Sequence, residues 1–465
     1  MLSRLVFVDR EKLEKHGFEE EWIKWLEYRI GQRGIDMHSL RIDCGEELLY
    51  EAFSWPYYKD HLQRAYSISK SFVSVAIGIL EDRGMLALED KILDWFPEYR
   101  PRGVSEWISE MTISHMLSMK TCYSSTTYKR SCDNNWVRSF FTSVPEHPPG
   151  TIFCYDTSGY HTLAALVEKL TQKKLLDFLR EECLDQIGFS KEAYFLADEQ
   201  GVSMGGSGLL CSLKDISLFG RLIMNYGNWD GRQLLPEPYM RKALQVNSFT
   251  GSSRDSCLQK QGYGYGFWCL PGTGFFSFGK GSQIILCLPQ QNLVVSGFGD
   301  TIGDPGAMEN LLEDLLFLFL RKGRLSVEGQ EVSGIQTLLP GGIPGTTCPE
   351  GKYGCADSFF KTFEIDRNEH LIRIETAAGD REIRWRENGF YEGDFPVTGS
   401  RYLAVGASQP GGEYYVRVKY LTPEPASMEM EFAPIGDRSL VIRMKNTGEL
   451  LHREYTGDYV CWKET

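Results

Sequence analysis

The stretch Tyr66-Ser67-Ile68-Ser69-Lys70, continued by SFVSVAIGILEDRGM to residue 85, decides how the chain is read. Phe72, Val73, Ala76, Ile77, Ile79 and Leu80 recur at the spacing of a strongly apolar helix that the flanking sequence ends at Gly84. Ser67 falls at the start of that helix. Positions i and i+3 share a face there, so the Lys70 amine can reach the Ser67 hydroxyl. A serine hydroxyl is a poor nucleophile until a base takes its proton. A lysine pressed into an apolar helix face loses hydration, its pKa falls, and a neutral amine becomes available as that base. The helix N-terminus adds partial positive charge that favours a developing alkoxide. The same Ser-x-x-Lys spacing recurs at Ser277 with Lys280 and at Ser358 with Lys361. Those two lie in strand-like stretches, where residues three apart point to opposite faces and cannot cooperate.

Two segments further along supply what such a nucleophile lacks. Phe153-Cys154-Tyr155-Asp156-Thr157-Ser158-Gly159-Tyr160 leads into the amphipathic HTLAALVEKLTQK. A tyrosine just before a polar turn can project its phenol into a cleft and pass a proton between the serine and a leaving group. The second segment is Gly274-Phe-Phe-Ser-Phe-Gly279-Lys280-Gly281-Ser282-Gln283 with the apolar run to Leu288, then Pro289-Gln-Gln-Asn292 and Leu293-Val294-Val295. Two apolar strands joined by the PQQN turn make a hairpin. Glycines at 279 and 281 let a ligand approach the backbone closely, as a strand-edge oxyanion donor requires.

Taken together and in this order, the three segments resemble the serine beta-lactamase and penicillin-binding-protein superfamily, in its class C-like branch of esterases, peptidases and amide hydrolases. Members carry Ser-x-x-Lys at the start of a buried helix, then Tyr-x-Asn or a variant, then Lys-Thr-Gly or a variant on an inner strand. Those places are taken here by Ser67 with Lys70, by Tyr155 with Thr157, and by Gly279-Lys280-Gly281. The stretches MTISHMLSMKTCY, EHPPGTIFCYDTSGYHTLAALVEKLT and GYGYGFW also look like the family, and the likeness runs from roughly Ser39 to Lys322. It implies that Ser67 attacks a carbonyl, that Lys70 and Tyr155 share proton transfer with either as the base, and that backbone N–H groups of Ser67 and Ser282 hold the oxyanion. It places Thr157, Gly279, Lys280 and Gly281 against the substrate. Gly279 stands where lactamases and penicillin-binding enzymes have a carboxylate-holding lysine. The pattern is therefore that of the esterases and amidases, which often lack this lysine and keep Ser, Lys and Tyr.

Composition bounds the alternatives. In 465 residues, 50 Lys and Arg against 63 Asp and Glu leave a formal charge of -13, which repels phosphate backbones and anionic lipid heads. Nucleic acid and membrane are therefore not expected as partners. The longest strongly apolar run, Leu315 to Leu320, is far below the roughly 20 residues that span a bilayer. The N-terminus becomes densely charged after eight positions, too early for a secretory h-region, which leads us to expect a cytoplasmic location. The 12 cysteines lack CxxC spacing and read as reduced, mostly structural thiols. GFFSFGKG fails as a phosphate loop, because Gly281 replaces the magnesium-binding hydroxyl and a strand follows. No HxxxH or HExxH pair offers zinc ligands, and Gly205-Gly206-Ser207-Gly208-Leu209 lacks the closing glycine of a GxSxG elbow. That glycine run suits tight packing beside the cleft.

From about Tyr353 the period becomes two, as in Ile372 and Ile374 against Arg373 and Glu375, or Val416 and Val418 against Arg417 and Lys419. Turn pairs such as Arg367-Asn368 and Ala378-Gly379 separate these half-buried strands. The expected architecture is mixed α/β: a beta-lactamase-like domain over 1–325 with an antiparallel sheet flanked by helices, a linker over 326–350, and a small antiparallel β domain over 351–465, a meander or lipocalin-like barrel. The expected activity is hydrolysis of a small ester, amide or short peptide through an acyl-serine, with no metal and no cofactor, in a chain that can form homo-oligomers. A beta-lactamase or D-Ala peptidase, and a non-catalytic ligand-binding or sensing protein on the same fold, are the alternatives.

Overall fold

The apolar stretch after Ser67 forms the helix Ser69–Asp82, entered through a 3-10 turn at Tyr66–Ile68. Every residue from Ser69 to Leu80 is buried, so this central helix is enclosed on all sides rather than lying on a surface. Its buried hydroxyls are each tied to a different segment. Ser69 Oγ accepts from Leu209 N–H (3.0 Å), Ser71 Oγ donates to Gly266 O (2.7 Å), and Ser74 Oγ lies 2.9 Å from Tyr239 Oη. Chain remote in sequence thus fixes the roll of the helix about its axis.

A computed structural model describes residues 5–464 apart from 133, 252–256, 302–303, 321–347, 388, 396–399, 409–412, 423–425, 437 and 448–452. They divide into two compact units, Met1–Thr337 and Leu338–Thr465, each with its own apolar core. The first contains a seven-stranded antiparallel sheet. Its strands are β1 (Leu5–Val8), β2 (Asp36–Cys44), β3 (Glu47–Phe53), β4 (Trp268–Leu270), β5 (Gly274–Gly279), β6 (Gln283–Leu288) and β7 (Leu293–Asp300), in the spatial order β1-β3-β2-β7-β6-β5-β4. The β2–β7 ladder joins the early hairpin to the late one, with Ile42 opposite Val295. Every residue of β6 and β7 is buried, the mark of strands covered on both faces. The helix Leu213–Met224 packs on them through Gly220, where a Cβ would stand 2.7 Å from Ile285 Cγ2 and 2.8 Å from Val294 Cγ1. The helices Glu20–Gln32 and Pro305–Leu320 are joined by Asp314, which accepts hydrogen bonds from both Arg29 and Arg33.

The period-two region forms a ten-stranded antiparallel meander in the second unit. Consecutive strands pair except at one step, and the first, Gly351–Cys355, closes on the last, Gly457–Lys463. The two edges, Arg381–Arg384 and Tyr391–Asp394, are consecutive in the chain, so the sheet is nearly closed and barrel-like. Alternate residues fill the interior, among them Phe363, Ile374, Val416, Val418 and Ile442. The linker expected over 326–350 lies, up to residue 347, outside the described residues. No helix among the described residues is long and apolar enough to cross a membrane.

The cysteine expectation needs correcting. Cys355 and Cys461 stand opposite each other on the closing strand pair and form a disulfide, 106 residues apart in sequence. Spacing along the chain could not reveal this, because only closure of the meander brings the two together. The other ten cysteines are free. We expect thiol titration of the unfolded, unreduced protein to count ten thiols per chain, rising to 12 after reduction. Cys355→Ser is expected to lower the stability of the second unit by about 2–5 kcal/mol, read from its thermal transition.

Candidate active site

Ser67 sits in the 3-10 turn that feeds the central helix, half-buried among fully buried neighbours. The residue before it, Tyr66, holds φ at 45°, in the left-handed region that a non-glycine residue occupies only under constraint. Its ring is covered by the Arg64 guanidinium at 4.7 Å, and Arg64 Nε donates to Ser207 O at 2.8 Å. The bend that presents Ser67 is thereby clamped from the side.

One helical turn on, Lys70 is fully buried, and its Nζ lies 3.0 Å from Ser67 Oγ, 2.6 Å from Gly206 O and 3.4 Å from Thr157 Oγ1. Burial penalises the ammonium and lowers its pKa to about 7. The Asp156 carboxylate opposes that shift, and the Lys129 charge adds to it. Asp156 caps the helix Thr157–Thr171 by accepting from Ser158 N–H (2.8 Å) and Gly159 N–H (3.3 Å). Burial raises its pKa against those hydrogen bonds and the Lys70 charge. The cap that starts this helix is therefore also the electrostatic counterweight to the amine.

Tyr155 precedes the same cap, and Lys70 Nζ lies 4.9 Å from the centroid of its ring. That ring stacks on Trp268 at 5.7 Å with planes 7° apart, and Trp268 stacks in turn on Phe276 at 6.1 Å. Strands β4 and β5 thus hold the tyrosine from behind. The structure brings Ser67, Lys70, Tyr155 and Thr157 into one cluster.

The glycine motif requires a correction. Gly279 ends β5, and Lys280-Gly281-Ser282 form a turn into β6 instead of continuing an inner strand. Gly279 pairs with Gln283 across that turn. Lys280 therefore lies outside the strand-like stretch expected for it and is exposed in the turn. The missing lysine at 279 has a packing reason. A Cβ built on Gly279 would overlap the carbonyl oxygen of Ala65, two residues before the serine. Only glycine lets β5 approach that segment so closely.

Residues 40–301 match the family described as Beta-lactamase, more than half of the chain. The chain belongs to the beta-lactamase family. Among relatives of this family member, a 6-aminohexanoate-dimer hydrolase from Paenarthrobacter ureafaciens is 20% identical over 262 residues, 52% of this chain. The aligned part spans 66% of that relative's length. An octameric penicillin-binding protein homologue from Pyrococcus abyssi superposes with a TM-score of 0.52 at 17% identity, covering 96% of this chain and 99% of that one. A family VIII carboxylesterase does so with a TM-score of 0.50 at 13% identity, covering 64% and 97% respectively. These likenesses set the beta-lactamase-like fold, and the family membership makes the chain a beta-lactamase-related serine hydrolase.

Two contributors to this site escaped the sequence reading: the Gly206 carbonyl and the Asp156 carboxylate. Asp156 had a legible signal, since an aspartate before Thr-Ser-Gly and an apolar run is an N-cap pattern. The Gly205-Gly206-Ser207-Gly208 run announced close packing without saying against what. A Cβ on Gly206 would overlap Thr157 Cγ2 and Thr157 O, so glycine there allows the strand entry and the helix start to enclose Lys70 together. Gly206→Val is expected to lose about 1–3 kcal/mol through overpacking, measurable as a lower thermal midpoint of the first unit.

Proposed function

We propose that the protein hydrolyses a small ester or amide through an acyl-serine, with Ser67 as nucleophile and Lys70 as the base that activates it. The observation that carries this reading is the buried Lys70 amine, 3.0 Å from Ser67 Oγ and with its pKa lowered to about 7. A neutral amine has two N–H donors and one lone pair. Gly206 O and Thr157 Oγ1 receive the donors, which leaves the lone pair facing the Ser67 hydroxyl.

In this reading Ser67 Oγ adds to the carbonyl carbon as its proton passes to Lys70. The carbonyl oxygen becomes an oxyanion held by the N–H groups of Ser67 and Ser282. Collapse expels the alcohol or amine, which takes a proton through Lys70 and Tyr155, and leaves Ser67 acylated. Water then attacks the acyl carbon by the reverse proton route and releases the acid. Tyr155, with its ring against the Lys70 amine, is the relay toward the leaving group. Thr157, Gly279, Lys280 and Gly281 line the substrate side.

Substrate class follows from the same residues. Gly279 supplies no cation at the position where penicillin-binding members have one, which favours simple esters and linear amides over penicillins. The 6-aminohexanoate-dimer hydrolase among the relatives lends support to a linear amide. We assign this chemistry to a domain over 1–325, and assembly of copies, as in the octameric relative, belongs to the same proposal.

A fluorophosphonate probe is expected to label the wild type once, at Ser67, and to leave Ser67→Ala unlabelled; labelling of Ser67→Ala to the same extent would overturn the assignment. Hydrolysis of a p-nitrophenyl ester should rise with pH along a limb centred near 7, because the amine must lose its proton to act as base. Lys70→Ala should lower kcat about 10²–10⁴-fold and abolish that limb.

A further inference from the structure

Gln283, the first residue of β6, lies outside the set of residues given a chemical role above. Its side chain is buried, with a relative exposure of 1%. Its Nε2 shares two N–H groups among three carbonyls, Lys280 O at 2.9 Å, Gly281 O at 2.8 Å and Gly299 O at 3.0 Å, and its Oε1 accepts from Gly299 N–H at 3.3 Å. The assignment of amide nitrogen and oxygen is settled by these partners. Flipped, the oxygen would face three carbonyl oxygens and the NH₂ a backbone N–H.

Two of those carbonyls belong to successive peptide units of the Lys280-Gly281-Ser282 turn. In a trans peptide the C=O and the following N–H point in opposite directions. Drawing the 280 and 281 carbonyls inward therefore turns the N–H groups of Gly281 and Ser282 the other way, out of the protein interior behind the turn. The turn does not adopt this shape by default. Gly281 and Ser282 hold φ at 83° and 80°, and a left-handed serine needs outside support. Ser282 Oγ supplies part of it by donating to Thr301 Oγ1 at 2.6 Å. The contact of Gln283 with both faces of Gly299 ties the turn to β7, where the β2–β7 register shifts between Phe298 and Gly299. At the other end Gly279 abuts the carbonyl of Ala65, which brings the turn beside the segment carrying Ser67.

We infer that Gln283 is a positioning residue for the anion site: it holds the Lys280 and Gly281 carbonyls back so that the Gly281 and Ser282 amides point at the oxygen that becomes negative when Ser67 attacks. The role rests on the hydrolytic reading given above. It predicts a specific kinetic signature, since donors aimed at the transition state affect kcat more than ground-state binding.

The test uses the full-length protein and a p-nitrophenyl ester, with Gln283→Met, which keeps volume and apolar packing, beside Gln283→Ala. Both are expected to lower kcat about 10²-fold or more with KM within about threefold, and to weaken an arylboronic acid inhibitor in parallel with kcat/KM. Unchanged kcat in Gln283→Met with retained thermal midpoint overturns the inference. Should both variants fail to fold, a crystal structure of the wild type with the boronic acid on Ser67 decides. A boronate oxygen within hydrogen-bond distance of the Gly281 or Ser282 nitrogen supports the role, and one met only by other donors overturns it. A wild type that forms no adduct at Ser67 overturns the hydrolytic reading and this role with it, whereas an adduct with unaffected Gln283 variants overturns this role alone.

Discussion

An ammonium group with no exposure to water constrains everything around it. Lys70 is enclosed by the helix it belongs to, by the Gly205-Gly206 entry to a short strand, and by the start of the Thr157–Thr171 helix. Enclosure this tight requires glycine at 206, because any Cβ there meets Thr157. It also requires a carboxylate close enough to moderate the cost, which Asp156 provides while capping the second helix. The low pKa of the amine is therefore a consequence of packing among three segments, each remote in sequence from the others. A group held close to neutrality in this way is destabilising as a cation and useful as a base, and the rest of the first unit supplies the stability that tolerates it.

The aromatic layer behind Tyr155 works to a similar end. Trp268 packs against Tyr263 and Phe276 and presents the ring face on which Tyr155 stacks. Strands β4 and β5 thus position the phenol without contributing polar groups of their own. The sheet meets the segment carrying the serine through its end: β5 stops at Gly279, against the Ala65 carbonyl, and the Lys280-Gly281-Ser282 turn follows.

The second unit follows a simpler logic. Period-two alternation with short turns allows all but one of the strands to pair with their predecessors, and the ends of the meander are joined both by the ladder between Gly351–Cys355 and Gly457–Lys463 and by the Cys355–Cys461 bond. Closing the first strand on the last satisfies edges that would otherwise be open to other chains. The interior is filled by its own aromatic and aliphatic side chains, including Trp385, Tyr402 and Tyr414.

What the sequence determined by itself was local: the apolar helix after Ser67, the i to i+3 placement of Lys70, the PQQN hairpin and the alternating strands beyond Tyr353. Each depends on a period or a turn signal contained in a few neighbouring residues, which is why it could be read directly. Resemblance of the three segments extended this to the family and suggested the roles proposed for Ser67, Lys70 and Tyr155. Tertiary structure alone decided the rest. It showed that Gly206 supplies a carbonyl to the amine, that Ala65 excludes a side chain at 279, that the Gly279-Lys280-Gly281 stretch breaks into a turn controlled by Gln283, and that Cys355 meets Cys461. Apart from the bonds of Gln283 to its own turn, these are contacts between residues more than a hundred positions apart, and no local pattern encodes which distant carbonyl, backbone or thiol will arrive beside a given side chain.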